Sequence, residues 1–361
     1  MVTTKSLKQN SEQDPPSEEH QQKKAKMTPS SPEPEVFFPC HRSRVEYGNE
    51  IAEMREMFEA GMWGWPGPRN AKEMRISTVG FRVEAQSWAI EFSKTDHRDA
   101  DHLSDSQKEA IIGSLKGQCV QEKWDVFIGL CSPLIRETIF EILAEAMIHK
   151  HVVERIFLSR YWYLDGKMNA SDEGDETFGA RLQYLYERFH ETNPNMAGLW
   201  RSETNRLANG MRPSRISSTE FGTYNQERRR SLLNRFVDET LASEPFQWLL
   251  RDLSTKEEVD KRRRRLYRVF EFASDEAVKF ENSRGNPTFY EMKDLPETFT
   301  KGTGDIMIPH EYNHLHEGRF SLDGHRILIC LFPGVIRRNI TFSARTATEY
   351  SIPAYVVVAN Q

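Results

Sequence analysis

The chain has 361 residues, 38% of them hydrophobic and 29% charged, with a formal net charge of −5. That length holds one large domain or two small ones, and the mildly acidic balance gives no overall attraction for nucleic acid. No apolar run approaches a membrane span, and the N-terminus "MVTTKSLKQNSEQDPPSEEH" lacks the apolar core of a signal peptide.

Four cysteines without C-x-x-C pairing point to buried free thiols in a reducing compartment. A cytoplasmic or nuclear, non-secreted protein is expected. Residues 1–35 carry almost no large apolar side chain, so a disordered tail is expected there. The "KKAK" at 23–26 reads as a solvated charge cluster, with nuclear import as the competing interpretation.

A single mainly α-helical domain is expected over 36–361. It divides into a helical body of about 46–284 and a small β-containing part of about 285–361. The packed part begins at "VFFPC" (36–40). A short helix fits "EIAEMREMFEA", with Ile51, Met54, Met57 and Phe58 on one face. "GMWGWPGPRN" ends it, since three Gly and two Pro in ten residues cannot stay helical, and Trp63 and Trp65 fall in that break. A second helix fits "VEAQSWAIEFSK". In the next, Ser104 and Gln107 form a capping box.

Residues 133–158 give the strongest helical pattern, with a wide apolar stripe through Ile135, Ile139, Ile142 and Ala146 that marks a central helix. His149 and His151, two residues apart, point in different directions on it and are not expected to share a metal. After the polar loop "MNASDEGDE", one helix carries Phe178, Leu182, Leu185 and Phe189. Pro194 opens the next, which carries Met196, Trp200 and Leu207. A looser segment covers 210–218. Two long helices follow over about 219–242 and 254–282, the second with a seam through Leu266, Phe270, Ala273, Ala277 and Phe280. After Gly285 the pattern changes. "HRILICLF" and "AYVVVA" read as strands of one small sheet, and "YLDGK" and "SLDGH" as Asp-Gly turns.

Two features invite functional interpretation. The first is the pair of basic runs "ERRRSLLNR" and "KRRRRLYR". Acidic residues nearby almost balance them, and Arg262 to Arg265 wrap around a helix, so a solvated or salt-bridged surface is expected ahead of nuclear import or nucleic-acid contact.

The second is "GDIMIPHEYNHLHEG" (304–318), where His310, Glu311 and His314 match H-E-x-x-H. That motif binds zinc when both His lie on one face of a helix, with the Glu as base toward the bound water. Here Pro309 pushes Ile308 towards an extended conformation. A helix could begin only at the motif itself and would soon meet Gly318. The metzincin continuation fails at Glu317 and Phe320, and Glu349 is the only Glu further on. A cupin-like site, suggested by "GDIMIP" and His314, lacks its earlier H-x-H, because His149 and His151 lie on the central helix. His310, His314 and His316 remain the candidate metal ligands, with His325 nearby. The competing expectation is that these histidines hydrogen-bond a loop and a strand edge. No P-loop, dinucleotide or nucleophile-elbow motif is present.

"SRYWYLDG", "LYERFHETNP", "LWRSETNRLAN" and "SLDGHRILICLFPGVI" together resemble a family of uncharacterised proteins of filamentous fungi, from about residue 80 onward. The resemblance implies no activity, cofactor or catalytic residue. Its pattern around 309–316, Pro-His, a variable stretch, then Leu-His, implies that Glu311 is not a fixed element, which argues against a protease.

The expectation is therefore a non-enzymatic helical interaction or regulatory protein with a protein partner, no cofactor, no catalytic residue and no membrane. A metal-dependent enzyme using His310, His314 and His316 is the alternative, and a nuclear DNA-associated factor the third.

Overall fold

The computed structural model describes residues 71–167, 171–210, 219–282, 286–300, 306–314, 322–338 and 349–360, within a unit that spans Ile51–Gln361. The expected tail with its "KKAK", the "VFFPC" entry with Cys40, the first expected helix, the break with Trp63 and Trp65, residues 211–218 and His316 lie outside the described residues. The described chain is mainly helical, with small strands towards its C-terminal part.

Helix α1 (Ala71–Phe92) starts well before the expected Val83. Gly80 and the β-branched Ile76, Thr78 and Val79 weaken the helical signal there. Gly80 has a packing reason: a Cβ on it would lie 3.1 Å from the Phe272 ring. Trp88 is buried and its indole N–H donates to the Arg262 carbonyl at 3.0 Å. Helix α2 (Asp105–Ser114) has the expected capping box: the Gln107 N–H donates to Ser104 Oγ, and the Ser104 N–H to Gln107 Oε1.

Helix α3 (Trp124–Leu130) precedes the central segment, which is not one helix. It is α4 (Pro133–Glu137), α5 (Ile139–Val152) and a π turn (Val153–Phe157). The break is at Thr138, whose hydroxyl donates back to the Leu134 carbonyl at 2.9 Å while its backbone leaves helical geometry (φ −106°, ψ 23°). Helix α5 is nonetheless central, with every residue from Ile142 to His149 buried.

Helices α6 (Phe178–Thr192) and α7 (Pro194–Ala208) form a hairpin on a one-residue hinge. Asn193 Oδ1 accepts the Met196 N–H at 3.1 Å, and Pro194 occupies the first turn. Then come α8 (Glu220–Ala242), the short α9 (Glu244–Gln247) and α10 (Lys256–Asn282). The expected α10 seam is buried at all five positions. Helix α1 packs on α5 and α10, and α10 also on α7 and α8.

Six strands form two three-stranded sheets: β1 (Asn286–Tyr290), β2 (Met307–Pro309), β3 (Ile327–Phe332), β4 (Gly334–Arg338), β5 (Glu349–Ile352) and β6 (Ala354–Val358). One sheet has the antiparallel order β1-β4-β5. In the other, β6 lies between β2, to which it is parallel, and β3, to which it is antiparallel. The two expected strands, β3 and β6, are thus neighbours. All six β3 residues are buried, and β3 packs on α5. A one-turn helix, α11 (Glu311–His314), follows β2. Cys119, Cys131 and Cys330 are free and buried, and burial pushes the thiols of Cys131 and Cys330 up to about 12.

Candidate functional site

The H-E-x-x-H residues do not act together. His310 lies between β2 and α11, fully buried, and its N–H donates to the Val356 carbonyl at 2.7 Å. Glu311 is exposed, His314 ends α11, and His316 is outside the described residues. The carboxylate that meets His310 is Glu145 of α5, with Oε2 3.4 Å from Nε2. On the other ring nitrogen, Nδ1 accepts the Tyr312 N–H at 3.1 Å. That assigns the lone pair to Nδ1 and the proton to Nε2, which donates to Glu145. In this arrangement neither ring nitrogen has a lone pair free for a metal. Among the described residues, no three His, Cys, Asp or Glu side chains are placed to hold one.

The rest of this buried cluster converges from four elements. One turn before Glu145, Glu141 accepts the Tyr312 hydroxyl at 3.2 Å. One turn after it, His149 Nδ1 is 4.0 Å from Glu145 Oε1, and the ring sits between Phe81 and Phe332. From α1, the Arg82 guanidinium lies 4.2 Å over the Tyr355 ring of β6. Asn313 seals the edge: its side-chain amide donates to the Val358 carbonyl and accepts the Val358 N–H, at 2.8 and 3.0 Å. The more distant His325 donates from Nδ1 to the Ala359 carbonyl at 3.0 Å. His310 and His325 therefore do what the competing expectation assigned them, bonding a loop and a strand edge.

Burial sets the electrostatics. It raises the carboxyl of Glu145, against the pull of His310 and Arg82, and that of Glu141, against the Tyr312 hydroxyl. It pushes the His149 imidazole down to about 3, with Arg82 and His310 adding to the effect. The Leu331 backbone slightly favours the protonated ring, but no pair at His149 meets hydrogen-bond geometry. A buried imidazole with no partner stays neutral. This chemistry ties α5 to the C-terminal sheet.

A second polar network anchors the α6–α7 hairpin. Arg201, fully buried, pairs with Glu281 of α10 at 2.6 Å, and Arg160 reaches the other Glu281 oxygen at 3.4 Å. The Tyr163 hydroxyl donates to Asn205 and accepts from Asn209, at 3.0 and 2.8 Å. Asp165 accepts the Tyr224 hydroxyl at 2.5 Å and pairs with Arg228 at 3.2 Å. Gly179 lets α6 settle on the 161–163 turn, since a Cβ there would fall 2.4 Å from the Tyr161 carbonyl oxygen.

No known protein family, curated protein or solved structure matches this chain. Function therefore has to be argued from its own surface.

The basic runs are largely engaged. Lys261 and Arg265 both reach Glu91, at 2.6 and 3.1 Å, and Arg263 binds Asp238 at 2.7 Å. Arg264 and Arg268 remain on the exposed side of α10. The hairpin is different. The apolar residues that its sequence periodicity assigns to packing are left outside: Leu185 is 41% exposed, Phe189 42%, Met196 57% and Leu207 60%. Phe189 meets the half-buried Trp200 edge-on at 5.3 Å, joining the two helices into one apolar face. Residue-by-residue periodicity finds these positions but cannot tell a face buried in its own fold from one held open. Among the described residues, no helix is long and apolar enough to cross a membrane.

Proposed function

We infer that this chain is a helical protein-interaction module whose docking face is the outer side of the α6–α7 hairpin. The observation that carries this is the open stripe Leu185, Phe189, Met196 and Leu207, with Trp200 at its centre. A contiguous apolar patch rimmed by polar residues is the ordinary mark of an interaction site.

The rim narrows the occupant. Arg188 pairs with Glu191 at 2.8 Å, Arg206 with Glu203 at 2.5 Å, and Arg181 with Asp175 at 3.2 Å. A rim of matched charges offers no net field to a polyanion or an acidic lipid surface. It complements a partner that also carries mixed charge around an apolar stripe, which describes an amphipathic protein helix laid along two parallel ridges.

The test places a photoreactive residue at 189, at 207 and, as a control, at the exposed Glu109 of α2 in the full chain, in native extract. One protein species crosslinked from both 189 and 207, absent from 109 and lost on Leu185→Glu, is expected. Equal labelling from all three positions, or adducts with nucleic acid, would overturn the assignment. An adduct of twice the chain mass would make a second copy the partner.

A further inference from the structure

Helix α1 is apolar on two faces. Phe81, Ala85, Trp88, Ala89 and Phe92 fill the core. On the opposite side, Val79 (44% exposed), Val83 (47%) and Ile90 (46%) stand at i, i+4 and i+11, within a narrow sector of the helix. A helix that is apolar all round belongs inside a protein, so this second stripe needs a cover.

The chain leading into Ala71 has a suitable one. Residues 50–60, "EIAEMREMFEA", place Ile51, Met54, Met57 and Phe58 on one helical face. The ten-residue Gly/Pro break at 61–70 then lets the chain reverse before α1 begins. An antiparallel helix of that length runs on the order of 16 Å, which sets Phe58 beside the first turns of α1 and Ile51 near Val83. The segment is acidic through Glu50, Glu53, Glu56 and Glu59, and Arg75 lies on the same side of α1 as Val79. A tethered segment also acts at an effective concentration in the millimolar range, which outcompetes an untethered partner of similar chemistry.

We propose that residues 51–58 form a helix that folds back on the Val79–Val83–Ile90 stripe, making this stripe an intramolecular docking surface and leaving the α6–α7 face for the partner. This does not depend on the hairpin assignment.

The test is disulfide trapping in the full chain. Ile51→Cys with Val83→Cys is compared with Ile51→Cys with Leu185→Cys under mild oxidation, and intramolecular product is read by its gel mobility. Crosslinking of the 51/83 pair about tenfold faster or more is expected. Equal rates, or faster trapping of 51/185, would overturn the proposal. Hydrogen exchange of the full chain gives an independent check. Amides 51–58 should be protected and should lose protection on Val83→Glu. Amides that exchange freely in the unaltered chain would refute the fold-back.

Discussion

The α5 region and the α6–α7 hairpin are held by opposite means. Helix α5 is packed on all sides by Phe81, Phe332 and its own aliphatic residues, and its few polar groups are satisfied locally or held neutral. The hairpin rests on a small separate cluster of tyrosines, alanines and Leu232, and depends on the Arg201–Glu281 pair and the Tyr163–Asn205–Asn209 chain for its place. Apolar packing is non-directional and forgiving, whereas buried ionic and amide networks demand one geometry. The molecule thus builds its invariant centre from the first and its partner-facing arm from the second.

Four measurements would break or sharpen this contrast. Glu281→Ala leaves Arg201 buried without its carboxylate and should cost about 3–5 kcal/mol in urea unfolding. Replacing both partners with Leu and Met should recover most of the loss. Hydrogen exchange should rise in α6 and α7 first, with α5 and β3 still protected.

His149 tests the other region. Its folded-state pKa is depressed to about 3 from an ordinary 6.5. Its contribution is therefore complete above the ordinary value and is lost as pH falls towards 3, by about 2 kcal/mol at pH 5. Glu145 and Glu141, shifted up, act with opposite sign: their contribution is full below the ordinary carboxyl value and declines as pH rises through the raised ones. His149→Phe should flatten the acid limb of urea midpoints between pH 6.5 and 3, and unchanged slopes would refute the assignment.

A tyrosine pair gives a smaller effect. Tyr163→Phe strips two hydrogen bonds and should cost roughly 1–1.5 kcal/mol, whereas the Tyr161 hydroxyl has no partner, so Tyr161→Phe should be neutral or slightly stabilising. Smallest of all, Phe189→Ser should move stability by no more than about 0.5 kcal/mol while abolishing the face-specific crosslink.

Sequence periodicity located the helices well where one apolar face repeats, as in α10, and where caps are explicit, as at Ser104 and Asn193. It failed where the cause is tertiary. Gly80 reads as a helix breaker until Phe272 is seen against it, and Thr138 breaks the central helix through its own side chain. Strands β1, β2, β4 and β5 are too short to show a period of two. His310 was singled out from the sequence, but its partner Glu145 lies far away along the chain and reads only as a charge on a helix. No local pattern links two such positions; the fold alone brings them together.

The position of β6 bears on synthesis. It is the middle strand of its sheet, yet it follows β2 and β3 in the chain, and Val356 and Val358 supply the backbone groups that hold His310 and Asn313. On the ribosome, β2 and the wholly apolar β3 therefore emerge before the strand that must lie between them. A chain that stalls or is cut before Ala354 presents two unpaired edges, one of them "ILICLF", a run of the composition that pairs with other chains. Frameshifts or stops in the last exon-encoded stretch should thus act less by losing a terminus than by producing aggregating protein.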